Sequence, residues 1–60
     1  MIEMRGKIGK TVVFGVSGPD AFQVTMEAMR YAEQYREEGD VLMQQKIDGR
    51  WKRAGLIHQN

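Results

Sequence analysis

The chain has 60 residues, no Cys, a single His and a formal net charge of +1. A polypeptide this short forms one domain at most and hides only about 60% of the surface its unfolded form exposes. Without thiols it has no disulfides and no thiolate-bound zinc to reinforce that core, so association with a second subunit is the remaining prop.

The charge is unevenly spread. Residues 1–19 carry Glu3 against Arg5, Lys7 and Lys10. Residues 20–40 carry Asp20, Glu27, Glu33, Glu37, Glu38 and Asp40 against Arg30 and Arg36. Residues 41–60 carry Asp48 against Lys46, Arg50, Lys52 and Arg53. The segments therefore sum to +2, −4 and +3. This pattern is either complementarity within the chain or two faces that meet different partners. No run is long or apolar enough to span a membrane, and Met1-Ile2-Glu3-Met4-Arg5 lacks the apolar core of a signal peptide. A cytoplasmic location is the expectation.

The first segment, Met1 to Val16, predicts a β-hairpin. Thr11 to Val16 is rich in β-branched and aromatic residues, and the arm before it alternates apolar Ile2 and Met4 with charged Glu3, Arg5 and Lys7. A two-residue loop near Gly9 would place Val12, Phe14 and Val16 on the charged face. A three-residue loop, Lys7-Ile8-Gly9, pairs Met4 with Val12 and Ile2 with Phe14 instead. The alternation thus favours a core face of Ile2, Met4, Val12, Phe14 and Val16, with Glu3, Arg5, Thr11 and Val13 facing out.

The stretch from Ser17 to Gly39 predicts the one helix. Ser17-Gly18-Pro19-Asp20 precedes eighteen residues without a breaker, and Gly39 follows them. Ser17 and Asp20 have the spacing of a capping box, Pro19 suits a first turn, and Gly39 suits a left-handed stop. At about 100° per residue, Phe22, Met26 and Met29 form one apolar stripe, expected in the core. Val24, Ala28, Tyr31 and Tyr35 form a second. The combined arc is wider than one small sheet needs, so either it wraps into a curved sheet or the second stripe packs on another chain and makes a dimer, which is the expectation taken here. Tyrosines suit such half-wet interfaces.

The last segment predicts a second hairpin. Val41–Ile47 and Arg50–Ile57 are joined by Asp48-Gly49, a two-residue primed-turn signature. It pairs Ile47 with Arg50, Gln45 with Lys52, Met43 with Ala54 and Val41 with Leu56. The opposite face then carries Leu42, Gln44, Lys46, Trp51, Arg53 and Ile57, with Lys46 across from Trp51 in cation–π range. Residues 58–60 are expected to fray.

No residues form a catalytic or ligand signature. Gly6-Lys7-Ile8-Gly9-Lys10-Thr11 has two residues between its glycines where a phosphate loop needs four, and a strand follows where that loop needs a helix. Gly15-Val16-Ser17-Gly18 is one residue short of a nucleophile elbow. His58 lies in the tail with no group to orient it. The helix acids read as a solvated face. No enzyme activity, cofactor or metal is expected.

The feature with the most functional promise is Trp51 among Lys46, Arg50, Lys52 and Arg53. Trp51 could simply close the small core, with the basic residues solvated around it, but Trp and Arg also anchor protein interfaces. Basic residues around an aromatic on a sheet also suit single-stranded nucleic acid. The modest net charge and the acidic helix weigh against the latter, since phosphate neutralisation dominates that affinity. The chain is therefore read as a single α+β domain over residues 1–60, laid out β-β-α-β-β, with one amphipathic helix on a small antiparallel sheet of two hairpins. Strand order is left open. Its expected function is docking on a protein partner as an inhibitor or regulator, with nucleic-acid binding as the alternative. So economical a chain suggests an accessory protein of a phage or other mobile element.

Overall fold

A computed structural model describes residues 1–56. In chain order the elements are β1 (Ile2–Ile8), β2 (Thr11–Gly18), α1 (Ala21–Gln34), a 3-10 turn (Arg36–Glu38), β3 (Leu42–Ile47) and β4 (Arg50–Leu56). The result is an α+β fold in which one helix covers a four-stranded antiparallel sheet. Strand order is β2-β1-β3-β4, so the two hairpins join along their first strands. Met4 of β1 and Met43 of β3 are both buried, which is why these strands take the centre and β2 and β4 the edges.

The first hairpin departs from the register that alternation favours. It turns over two residues, Gly9-Lys10, with Ile8 opposite Thr11 and Lys7 opposite Val12. By itself that register would send Phe14 and Val16 to the charged face. A bulge at Val13 removes the conflict. The next pairs are Gly6 with Phe14, Met4 with Val16 and Ile2 with Gly18, so the side chains beyond the bulge regain the core face. Val12, expected inside, is exposed opposite Lys7, while Val13, expected outside, packs partly against the core.

The bulge sets the ring of Phe14 over Gly6. A methyl group built on Gly6 would overlap that ring, so only glycine fits there. From the helix side, Tyr31 and Tyr35 stack on Phe14 with centroids 5.5 and 6.1 Å away.

The helix is shorter than the unbroken stretch suggests. Asp20, not Ser17, is the N-cap: its Oδ1 accepts the Phe22 N–H at 2.9 Å. Ser17 stays in β2 because it pairs with Glu3, and Pro19 lies just outside the cap. After Tyr35 the chain tightens into the 3-10 turn. Gly39 then leaves at φ 148°, ψ −178°, a glycine conformation other than the left-handed helical stop expected of it.

The two apolar stripes of α1 exchange roles. Val24 is 2% exposed and Ala28 0%, whereas Phe22 is 73% exposed, Met26 44% and Met29 45%. Ala28 and Ala32 present little bulk, so the helix backbone can approach the sheet closely, and Phe14 fills the space beneath. Large side chains at those contacts would hold the helix away. Of the four residues assigned to self-association, Val24 and Ala28 therefore lie in the chain's own core. Tyr35 packs partly against it, and Tyr31 stacks on Phe14 while remaining 42% exposed.

The second hairpin turns on Asp48 (φ 53°) and Gly49 (φ 77°), the two positive φ values of a primed turn. Ile47 faces Arg50, Lys46 faces Trp51 and Gln45 faces Lys52. A second bulge, at Ala54, then pairs Met43 with Gly55 and Leu42 with Leu56, one step off the expected Met43–Ala54 and Val41–Leu56 pairs. Val41 is fully buried ahead of the strand.

Candidate binding surface on the uncovered sheet face

The helix packs on β1 and β2 from one side, and among the described residues no layer covers the opposite face of the sheet. Pairing register decides what that face carries. Arg5 lies beside Gln44, which lies beside Arg53. Lys46 lies beside Trp51, and Lys7 beside Leu42 and Val12. Among the described residues, four cations, Arg5, Lys7, Lys46 and Arg53, thus share a face with one carboxylate, Glu3. Six acids lie in residues 20–40, the helix and its flanks. The charge asymmetry of the sequence becomes a basic sheet face and an acidic helical layer.

At the centre of this face the Arg5 guanidinium carbon stands 4.1 Å from the Trp51 ring centroid, and Lys46 Nζ stands 5.8 Å from it. Arg5 Nε also donates to Gln44 Oε1 at 2.7 Å. One hydrogen bond and one cation–π contact therefore hold the guanidinium in place, the second worth about 0.5–2 kcal/mol depending on how dry it is. Trp51 is half-buried as a result. Beside the pair runs an open trough of about 360 Å³ whose lining includes Arg5, Val12, Gly15, Ser17 and Trp51. Gly15 faces Arg5 across the β1–β2 pair and leaves the floor of the trough bare. A methyl group there would meet only the Met4 carbonyl oxygen, at 3.9 Å, so the fold has room for a side chain at this position.

The structure divides the residues singled out in the sequence. Trp51, Lys46 and Arg53 share the uncovered face. Arg50 and Lys52 alternate to the helix side, where both are exposed. Arg5 and Lys7 were missing from the predicted cluster. Their alternation places them opposite the core residues of β1, but only the β1–β3 pairing brings them beside Lys46 and Trp51. Ile57 and the tail 58–60, expected to fray and including His58, lie outside the described residues. Gly9-Lys10 forms a hairpin turn and Thr11 begins β2, so the phosphate-loop-like stretch is occupied by hairpin structure.

Among the described residues no group of three or more His, Cys, Asp or Glu side chains is placed to hold a metal ion. Glu33 pairs with Arg36 at 2.8 Å on the exposed helix surface, a contact worth little in water. No helix among the described residues is long and apolar enough to cross a membrane. Comparisons with family models, with curated proteins and with solved structures returned no match.

Proposed function

We propose that this chain is a non-enzymatic binding module that docks on a protein partner through the uncovered sheet face and acts as its inhibitor or regulator. The observation that carries this reading is the Arg5–Trp51 pair at the wall of the open trough. Trp and Arg are the side chains most often found as interface anchors, and a pair already held in place loses little conformational freedom on binding. The surrounding Lys7, Lys46 and Arg53 suit an acidic partner surface, which they would steer toward the anchor.

A second reading, single-stranded nucleic acid, gains from the arrival of Arg5 and Lys7 beside Lys46 and Arg53. It loses from the same geometry, because Arg5 covers one side of the Trp51 ring that a base would stack on.

Two variants test the first reading. Gly15→Leu fills the trough, and Trp51→Ala removes the anchor; both leave the helix-side core untouched. A protein recovered with the wild-type chain should be lost with both and kept with Arg50→Ala. Equal recovery by all three variants refutes docking through this face. Trp51 fluorescence titrated with single-stranded oligonucleotides separates the alternatives: quenching that collapses as salt rises supports nucleic acid, and unchanged emission at low salt removes it.

A further inference from the structure

The two edges of the sheet are unlike. Among the described residues β2 and β4 each pair on one side only. β4 carries Arg50, Lys52 and Arg53 and no acid, a charged edge that repels its own copy. β2 runs for eight residues, Thr11–Gly18, with neither a charge nor a Pro. Its one break is the bulge at Val13, and from Phe14 to Gly18 the register is continuous. Antiparallel pairing fixes where the backbone of that stretch points. Counted from the Ile8–Thr11 pair at the turn, Gly6, Met4 and Ile2 aim their N–H and C=O groups at β2, and Arg5 and Lys7 aim theirs at β3. Gly15 and Ser17, opposite Arg5 and Glu3, therefore turn theirs away from the sheet. Both residues are small and exposed.

We propose that this edge takes β2 of a second copy, antiparallel about a two-fold axis at Val16, so that two sheets join into one of eight strands. Gly15 of each copy then faces Ser17 of the other, and each such pair exchanges two hydrogen bonds. Three observations select a second copy as the occupant. The first is the place of the helix, which packs about equally on β1 and β2. Its axis therefore lies about half a strand spacing inside β2, and pairing at about 4.8 Å sets the two helix axes about 10 Å apart, the separation at which helices pack. A copy added to β4 would leave the axes about 30 Å apart, with no such contact. The second is the helix flank above β2, where Tyr31 stacks on Phe14 and is 42% exposed. Glu27, Arg30 and Gln34 share that flank with Tyr31. Its one acid and one cation cancel, so two such flanks meet without net repulsion. The third is the charge at the ends of the strand. Lys10 lies just before β2 and Asp20 just after it, both exposed, and an antiparallel copy brings Lys10 toward Asp20 at each end. The copy adds in the plane of the sheet and leaves its uncovered face open, so this inference stands or falls independently of the docking surface.

Sedimentation velocity and amide hydrogen exchange of the full-length chain, each over a dilution series, test it. The wild-type chain is expected to dimerise reversibly. The amides of Gly15 and Ser17 should be protected in the dimer and lose that protection on dilution. Ser17→Pro removes one outward N–H from each copy and no bond to β1. It should weaken dimerisation by about 30-fold, the scale of two lost hydrogen bonds, with an unchanged circular dichroism spectrum. Ser17→Lys keeps the N–H but sets a charge on the edge; it should also weaken the dimer, and it carries the test if proline disturbs β2. Phe22→Asp, half a turn around the helix from Tyr31, should leave the dimer intact. A wild-type chain that stays monomeric overturns the proposal. So does a dimer whose Gly15 and Ser17 amides exchange freely, or one that survives both Ser17 variants. Loss with Phe22→Asp but not with the Ser17 variants would place the contact on the other side of the helix and overturns it as well.

Discussion

Replacing Gly6 with Ala probes the contact on which the core depends. The added methyl group would occupy space already filled by the Phe14 ring, which is itself buried and stacked on Tyr31 and Tyr35. Forcing one extra carbon into a packed site costs about 1–3 kcal/mol. Displacing Phe14 also weakens two aromatic pairs, each worth about 0.5–1.5 kcal/mol. A loss of about 2–4 kcal/mol follows, against a total stability of roughly 3–9 kcal/mol for a chain of this length. The corresponding fall in Tm is about 10–30 °C for so small a domain. Gly15→Ala is the matched control on the same hairpin, since nothing but a carbonyl oxygen at 3.9 Å meets its methyl group. It should be neutral or stabilising by about 0.5–1 kcal/mol. Urea unfolding followed by circular dichroism gives both numbers. In a Phe14→Leu background the Gly6→Ala penalty should shrink by at least about 1 kcal/mol, because the two positions are in contact. Equal stability of Gly6→Ala and Gly15→Ala would refute the packing argument, and so would an unchanged penalty in the Phe14→Leu background.

Three further outcomes are expected. Asp20→Ala should cost about 1 kcal/mol in thermal or urea unfolding through loss of the helix cap, while Ser17→Ala should change stability by less than about 0.5 kcal/mol; the reverse ranking would return the cap to Ser17. Gly49→Ala should lose about 1–2 kcal/mol in urea unfolding, because alanine is strained at φ 77°, whereas Gly49→Asn should lose less. Arg5→Ala should shift the Trp51 emission maximum to longer wavelength and lower stability by about 1–2 kcal/mol, having removed both the Gln44 hydrogen bond and the cation–π contact. An emission spectrum identical to wild type would mean that Arg5 does not cover the ring.

Local chemistry made much of this protein legible in its sequence. Asp48-Gly49 specifies a turn because few other residues tolerate positive φ twice in succession, and it carries Lys46 opposite Trp51 as a consequence. The unbroken run after Asp20 specifies a helix, and the alternating segments on either side specify two hairpins. Each of these signals acts over a few residues, so the β-β-α-β-β layout could be read without a structure. The side of the helix that turns inward is decided at long range. It depends on how near the helix can come to the sheet, and the small side chains of Ala28 and Ala32 set that distance together with Phe14 lying over Gly6. Hydrophobicity alone ranks Phe22, Met26 and Met29 first and misplaces them. Bulges at Val13 and Ala54 shift register to satisfy burial, which alternation along one strand cannot foresee. Arg5 reaches Trp51 only because β1 pairs with β3, a contact between segments some forty residues apart that is selected by burying Met4 and Met43 together.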